Sequence, residues 1–195
     1  MPIFRTSKKI AAAPIIVGAA AALIIGAILF FTVYKRNRVT TKEVTMVESE
    51  KIMESLHHAF ADEWLAYYQY WVGALVVQGP TQKDVIFELK EHAQDELRHA
   101  GMLAERIIDL GETPILEPKN WYSHAICGYA APTDAAIPKI LEQNIKGEDC
   151  AIEFYKSLLL LTKDNDEITH KIIQEILNDE IEHKEDLEKL SKKAH

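Results

Sequence analysis

The chain has 195 residues, of which 48% are hydrophobic and 27% are charged, and its formal net charge is −8. This length accommodates one domain with a full hydrophobic core. Residues 1–34 hold three basic and no acidic residues, which leaves 19 basic and 30 acidic residues in the remainder, a net charge of −11. An acidic body of this kind attracts cations and argues against a nucleic-acid-binding surface.

The first predicted element is a hydrophobic N-terminal helix. Residues 10–34 contain no charged residue, and this stretch exceeds the ~20 residues that span a bilayer. Basic residues lie on both sides of this stretch. We therefore predict an uncleaved, single-pass membrane anchor within residues 1–38, ahead of a separate domain at residues 39–195; a cleaved signal peptide is the alternative. The flanking charges leave the side of the membrane open, with the cytoplasmic side favoured.

Four long helices are predicted in the second domain, at residues 44–78, 82–110, 134–161 and 165–192. Gly79 and Pro80 end the first helix, and Thr81 with Asp84 reads as a capping box for the second. Residues 162–166 read as a turn that contains the N-cap of the fourth helix. The proline-containing loop at residues 112–132 is predicted to be non-helical and long enough to make the second and third helices parallel. The fold class is therefore an all-α, antiparallel four-helix bundle with one long crossover.

One short pattern, Asp-Glu-x-x-His, lies near the middle of two predicted helices, as Asp-Glu-Leu-Arg-His at residues 95–99 and Asp-Glu-Ile-Glu-His at residues 179–183. Residues three apart share one face of a helix. Glu96 with His99, and Glu180 with His183, are therefore positioned to bind one metal ion per pair.

The spacing about the first turn adds a third carboxylate. Glu63 precedes Pro80 and Glu96 follows it, at almost the same separation along the chain. At ~1.5 Å of rise per residue, both carboxylates lie about 25 Å from the turn and face each other at one level.

The second half of the chain repeats this spacing. Glu148 precedes Asp164 and Glu180 follows it, again at equal separations along the chain. The chain thus contains two helical hairpins related by an internal repeat. Two further Glu-x-x-His pairs, Glu54/His57 and Glu167/His170, lack the mirror spacing. Asp166 precedes Glu167, but this pair lies in the first turn of its helix, where the helix dipole favours acidic residues.

These residues resemble the ferritin superfamily, and in particular its Dps-like branch with a cysteine pair, the thioferritins. The Asp-Glu-x-x-His motifs at residues 95–99 and 179–183 and the segments at residues 62–71 and 147–153 carry the resemblance. The resemblance implies a dinuclear iron centre, with manganese as the alternative metal, and a homo-oligomer. By this resemblance, Glu96 and Glu180 bridge the two metals, and Glu63 and Glu148 are terminal ligands. His99 and His183 each bind one metal.

Further residues are predicted around the centre. Asp95 and Asp179 are expected to accept the second ring N–H of the histidine in the opposite hairpin. Tyr70 lies one heptad after Glu63, and is expected either to donate an electron or a hydrogen bond near the metals or to pack as a core residue. Cys127 and Cys150 match the cysteine pair of the thioferritins, which implies a disulfide or a redox dithiol beside the site; two inert buried cysteines are the alternative.

One more histidine lies close to this set. His92 is one turn before Glu96, where it lines an iron access route or, as we favour, is an exposed helix residue.

The predicted function is oxidation of Fe(II) by peroxide or dioxygen at the dinuclear centre, for iron storage or protection against oxidants. Peroxide is the oxidant that the thioferritin resemblance implies. The first alternative is a membrane-bound di-iron oxygenase acting on a quinone or lipid, like demethoxyubiquinone hydroxylase. The others are a non-catalytic, membrane-tethered metal-binding subunit and a manganese catalase.

Overall fold

The structure is a computed structural model that describes residues 17–193, with side chains described at residues 32, 33, 35 and 46–193. Across residues 17–193 the regular elements are all helical. The α-helices are α1 (Val17–Val76), α2 (Gln82–Asp109), α3 (Trp121–His124), α4 (Ile137–Thr162) and α5 (Glu167–Lys193), and a 3₁₀ turn spans Pro118–Asn120. The chain divides into two compact units, Met1–Val44 and Thr45–His195, and the bundle is the second unit.

The prediction of a single-pass membrane protein is contradicted. Residues 1–16 of the predicted anchor segment lie outside the described residues, and residues 17–38 lie in the first part of α1. Of the helices that the structure describes, none is both long and apolar enough to cross a bilayer. The prediction treated the uncharged stretch as a separate hydrophobic helix, whereas its described residues are assigned to α1, which also contains Lys35, Arg36 and Arg38.

The bundle core consists of two clusters of buried hydrophobic residues, one on either side of a polar layer. The first apolar cluster contains Ile52, Leu56, Ala59, Phe60, Leu103, Ile107, Ile152, Tyr155, Leu158, Ile173, Ile176 and Leu177. The second apolar cluster contains Tyr70, Ala74, Val77, Val85, Leu89, Ala93, Ile137, Ile140, Leu141 and Leu187. Apolar residues at helical spacing on four helices build both clusters, because burying one face of each helix is what stabilises a bundle.

The two clusters give the direction of each long helix. The bundle part of α1, and α5, run from the first apolar cluster to the second, whereas α2 and α4 run from the second to the first. The α1/α2 and α4/α5 pairs are therefore antiparallel hairpins, and α2 and α4 are parallel. The connection between α2 and α4 has to return along the length of the bundle, as the sequence predicted.

Glycine and backbone geometry set the turn between α1 and α2. Gly79 has φ +155°, and a Cβ at this position would lie 2.6 Å from Cδ1 of Ile137. The neighbouring Gln78 exchanges backbone hydrogen bonds with the start of α4, at 2.8 Å to the Ala135 carbonyl and 3.3 Å from the Ile137 N–H. The turn is thus packed directly against the first residues of α4.

The predicted capping box at Thr81 is wrong. Thr81 has φ −104° and ψ 22°, and its side chain makes no capping hydrogen bond. An N-cap side chain reaches the N–H groups of the first turn from an extended backbone, which Thr81 does not have. Its carbonyl instead accepts the Asp84 N–H at 3.1 Å. At the start of α5 the predicted N-cap is present, because Asp166 Oδ1 accepts the Thr169 N–H at 3.0 Å.

The crossover also departs from its prediction as non-helical. A 3₁₀ turn and α3 occupy residues 118–124, and Pro118 lies in the first turn. Proline fits the first turn of a helix, since its missing N–H would have no partner there. Gly111 (φ +91°) ends α2 as predicted, with the Glu112 N–H donating to the Ile107 carbonyl at 3.1 Å.

Candidate metal centre

The polar layer between the apolar clusters brings together all six predicted metal ligands. Their ligand atoms form two overlapping groups, and within each group the atoms lie within 4.8 Å of one another. The first group is Glu63, Glu96, His99 and Glu180, and the second is Glu96, Glu148, Glu180 and His183. Every side chain in both groups is buried. Each of the four long helices supplies at least one of them.

Glu96 and Glu180 lie between the two histidines and belong to both groups. Nδ1 of His99 is 3.6 Å from Oε2 of Glu96 and 3.1 Å from Oε1 of Glu180. Nδ1 of His183 is 3.4 Å from Oε1 of Glu96 and 3.2 Å from Oε2 of Glu180. Each of these carboxylates therefore directs one oxygen to each histidine, which is the arrangement of a carboxylate that bridges two cations.

Glu63 and Glu148 each belong to one group only. Oε2 of Glu63 is 3.3 Å from Nδ1 of His99. Each also accepts a hydrogen bond from a tyrosine: Tyr155 Oη donates to Oε1 of Glu63, and Tyr70 Oη donates to Oε1 of Glu148. The two hairpins are thus cross-linked at the site by reciprocal tyrosine–glutamate pairs.

Sequence reasoning found Tyr70 but missed Tyr155. Tyr155 lies one heptad after Glu148, just as Tyr70 lies one heptad after Glu63. The internal repeat therefore contained the signal. Burial and then the charge of the partner carboxylate raise the pKa of both phenols, which keeps them protonated as hydrogen-bond donors.

Seven buried nitrogen and oxygen atoms of this layer have no hydrogen-bond partner within the described part of the chain. They are Glu63 Oε2, Glu96 Oε1, His99 Nδ1, both carboxylate oxygens of Glu180, and both ring nitrogens of His183. Leaving buried polar atoms unpaired costs free energy, and an unpaired buried charge costs more. Carboxylate and imidazole ligands in these numbers fit two divalent transition-metal ions such as iron or manganese.

The protonation of the metal-free site follows from the same crowding. Burial, and then the charges of the two shared carboxylates, raise the pKa of Glu63 and of Glu148. Burial alone would raise the pKa of Glu96, but the closeness of the two histidines outweighs it and lowers that pKa. Burial alone would lower the pKa of His183, but the closeness of Glu180 and Glu96 outweighs it and raises that pKa to about 12. Without metal, protons thus take the place of cations between the carboxylates.

Asp95 and Asp179 each lie beside the histidine of the opposite hairpin. Oδ2 of Asp179 is 3.1 Å from Nε2 of His99, and Oδ2 of Asp95 is 3.5 Å from Nε2 of His183. Arg98, which sequence reasoning did not single out, binds both aspartates, at 3.2 Å to Asp95 and 2.5 Å to Asp179. Arg98 therefore holds together the two carboxylates that orient the histidines.

A cavity of about 520 Å³ extends from the polar layer along α1 and α4 to the crossover. The four glutamates, Tyr70 and Tyr155 line its inner part, and Cys127 lines its outer part. Cys127 forms a disulfide with Cys150, as the resemblance to thioferritins implied. The carboxylate of Asp62, the residue before Glu63, accepts the backbone N–H groups of Ile126, Cys127 and Gly128 at 2.8–3.2 Å. The crossover is thus fixed to α1 beside the cavity.

The three other histidines that the sequence singled out belong to neither ligand group. Nε2 of His57 is 3.3 Å from Glu112, and Nδ1 of His170 is 3.1 Å from the Leu159 carbonyl, so neither rival Glu-x-x-His pair enters the polar layer. His92, which we expected to be exposed, is only 3% exposed and stacks on His183 with ring centroids 4.1 Å apart. The prediction failed because His92 lies on the inner face of α2, one helical turn before Glu96.

Residues 53–194 match the protein family described as ferritin-like domain. The DNA protection during starvation protein of Pyrococcus furiosus is 29% identical over 152 residues, which cover 76% of this chain and 80% of that protein. A bacterioferritin of Desulfovibrio desulfuricans is 30% identical over 134 residues, which cover 68% and 70% of the two chains. Among solved structures, the dodecameric thioferritin of Bacteroides fragilis, a bacterioferritin-related protein, is 41% identical; it superposes with a TM-score of 0.72 over 76% of this chain and 91% of its own. The family match contains every residue of both ligand groups.

Proposed function

The chain belongs to the ferritin-like family, as its resemblance to the thioferritins predicted, and we propose that it is a ferroxidase that oxidises Fe(II) with peroxide or dioxygen. The observation that carries the proposal is the pair of buried ligand groups that share Glu96 and Glu180. Membership of the family supports a role in iron storage or in protection against oxidants. The proposed cargo is iron, with manganese as the alternative metal in the same ligands.

In this proposal Glu96 and Glu180 would be the bridging ligands of two metal ions, Glu63 and Glu148 the terminal ligands, and His99 and His183 would each bind one ion. When bound, the ions would supply the electrons that reduce the oxidant. The protein residues would hold both ions in the buried layer between the two apolar clusters. Metal binding displaces the protons that the metal-free site holds, because ligands bind metal in their deprotonated form.

Tyr70 and Tyr155 keep the terminal glutamates in place. Each phenol donates to Oε1 of its glutamate, which leaves Oε2 for a metal. Their position within the cavity also gives each a place beside an incoming oxidant. The cavity is the proposed route for small molecules, and the disulfide at its outer part is placed to respond to peroxide there.

The dodecameric thioferritin supports a homo-oligomer as the working form of this chain. The predicted membrane oxygenase is not retained, because it depends on a membrane attachment that the described helices do not supply.

Anaerobic Fe(II) titration of the metal-free protein, followed by peroxide or air, tests the proposal. We expect two high-affinity ions per chain in the polar layer and their rapid oxidation. Glu96→Ala removes a ligand that both ions share and is expected to abolish both results. The double change Glu54→Ala and Glu167→Ala removes two carboxylates of the rival Glu-x-x-His pairs and is expected to leave the rate nearly unchanged.

Two outcomes would contradict the proposal. Iron binding without oxidation by either oxidant would favour a non-catalytic metal-binding protein. Loss of oxidation in the double variant, with Glu96→Ala still active, would mean that the polar layer is not the site.

A further inference from the structure

A third group of potential metal ligands lies outside the polar layer, where α2 and α5 meet at the surface. Ligand atoms of Glu88, His92 and Asp186 lie within 4.8 Å of one another. Glu88 and His92 are one helical turn apart on α2, and Asp186 lies nearly one turn after His183 on α5. None of the three belongs to either ligand group of the polar layer.

His92 is the residue that distinguishes this group from an ordinary acidic surface. Its side chain is only 3% exposed. Its Nδ1 has no hydrogen-bond partner among the described residues, and its Nε2 lies 3.4 Å from Oε1 of Glu88. Buried imidazoles usually have their ring nitrogens hydrogen-bonded or bound to metal. The buried ring thus offers a nitrogen at the edge of a surface groove that also contains two carboxylates.

The surroundings of this group favour a cation. A surface cavity of about 250 Å³ is lined by all three side chains, by Arg98 and by four further acidic residues, Glu91, Asp95, Asp179 and Glu182. Burial, and then the neighbouring charge of Asp186, raise the pKa of Glu88. Lys189 binds Oδ1 of Asp186 at 2.7 Å but is itself well exposed. A divalent ion would neutralise the Glu88–Asp186 pair more fully than this lysine does.

We propose that Glu88, His92 and Asp186 form a third, mononuclear site for a divalent transition-metal ion, separate from the dinuclear centre. One imidazole and two carboxylates suit Fe(II), Mn(II), Co(II) or Zn(II). Ligand bonds of about 2.1 Å place two ligand atoms at most about 4.2 Å apart, so the carboxylates close in by a few tenths of an ångström. Both carboxylates are partly exposed and at the surface, where this movement is available.

The third site lies next to the dinuclear centre, because the His92 ring stacks on the His183 ring. His183 lines the same surface cavity and also faces Glu96 and Glu180 in the polar layer. An ion at the third site is therefore separated from the centre by two stacked imidazole rings. The site is placed to collect Fe(II) on the α2/α5 side, which is distinct from the cavity along α1 and α4.

Equilibrium dialysis of the full-length, metal-free chain against Co(II) tests the proposal, with metal analysis of the protein. Co(II) is the probe because air does not oxidise it readily in such ligands. We expect three ions per chain in the unchanged protein. Asp186→Asn is expected to weaken the third ion at least roughly tenfold, since even indirect contacts to a metal contribute ~10–100-fold to its affinity. Glu88→Gln, on the other helix, is expected to do the same.

Glu91→Gln is the matched control. It removes a charge from the same cavity but not from the three ligands, so it is expected to leave three ions bound. His92 is left unchanged in these variants because its loss would disturb His183. Equal weakening by Glu91→Gln and Asp186→Asn would reduce the effect to general surface charge and overturn the proposal.

The test also separates this site from the dinuclear centre. In a Glu96→Ala background we expect one ion per chain, which Asp186→Asn then removes. If the proposed dinuclear centre does not exist, the unchanged protein is expected to bind one ion and the Asp186→Asn variant none. That result would support the third site without the dinuclear centre. Two bound ions in both the unchanged protein and the Asp186→Asn variant would overturn the third site. Co(II)-soaked crystals that show no anomalous peak at Glu88, His92 and Asp186 would also overturn it.

Discussion

Replacing Glu148 with Gln is expected to stabilise the metal-free protein while weakening its metal binding. Glu148 is 3% exposed, and burial together with neighbouring carboxylates raises its pKa. Gln has nearly the same shape, and its carbonyl oxygen still accepts the hydrogen bond of Tyr70. The ionised form of Glu148 is disfavoured by burial and by the neighbouring carboxylates, and burying a polar group without compensation costs about 1–3 kcal/mol in mutational data, so we expect a gain of about 2 kcal/mol at neutral pH. For a chain of this size that corresponds to a rise in Tm of about 4–8 °C.

The gain has a defined pH dependence. Because the folded pKa of Glu148 lies above its ordinary value of 4.5, its contribution to stability is present at low pH and is lost as the pH rises above 4.5. The introduced Gln cannot ionise, so the unfolding free energy of the Glu148→Gln variant exceeds that of the unchanged protein by little near pH 4.5 and by more as the pH rises. Chemical denaturation of chelator-treated protein at several pH values measures it.

Two comparisons make this prediction refutable. Glu153→Gln changes an exposed carboxylate on the same helix, and is expected to alter the unfolding free energy by less than about 0.5 kcal/mol. Added metal is expected to raise the Tm of the unchanged protein more than that of Glu148→Gln, since only binding to the folded state stabilises. A Glu148→Gln protein that is less stable without metal, or whose advantage ignores pH, would refute the electrostatic reasoning.

Three further outcomes are expected. Gly79→Ala should lower the unfolding free energy measured by denaturation by about 1–3 kcal/mol, because Gly79 has a positive φ and the added Cβ would contact Ile137. Gly101→Ala is the control and should be neutral or stabilising, because no atom lies within 4 Å of its added Cβ. Equal effects of the two changes would contradict this reasoning. Asp62→Ala should speed hydrogen exchange at residues 126–128 and reduction of the disulfide, and unchanged rates would mean that Asp62 does not fix the crossover. Peroxide should oxidise bound Fe(II) faster than air, and Cys127→Ser should lower turnover or durability without removing metal; equal rates with both oxidants and an unaffected variant would make the disulfide purely structural.

The positions of the site residues were predictable because a helix rises uniformly. Equal numbers of residues on either side of a turn place two side chains at one level, so Glu63 and Glu96 could be paired from the sequence alone. The same arithmetic paired Glu148 with Glu180. The helix ends needed only approximate placement, because Gly79 and Gly111 adopt backbone conformations that other residues rarely take.

Other features depend on which way a helix face turns, and the sequence did not decide this. His92 has ordinary polar neighbours in sequence and was expected to be exposed, yet the packing of α2 on α5 buries it against His183. Arg98 is exposed, and its role follows only from the approach of Asp95 and Asp179 from two helices. The uncharged stretch at residues 10–34 misled in another way, since lack of charge alone does not define where a helix begins or ends.

Neither hairpin of the bundle can form a ligand group by itself. The first group takes Glu63, Glu96 and His99 from the α1/α2 hairpin but needs Glu180 from the other. The second group takes its remaining ligands from the α4/α5 hairpin but needs Glu96. The tyrosine–glutamate pairs and the contact of Asp179 with His99 also cross from one hairpin to the other. Two apolar clusters therefore have to dock the hairpins before the site exists, and they do so against the mutual repulsion of four buried carboxylates. Two bound cations would turn that repulsion into attraction, so metal binding and hairpin docking favour each other. The polar layer therefore destabilises the metal-free bundle and stabilises the metal-bound bundle.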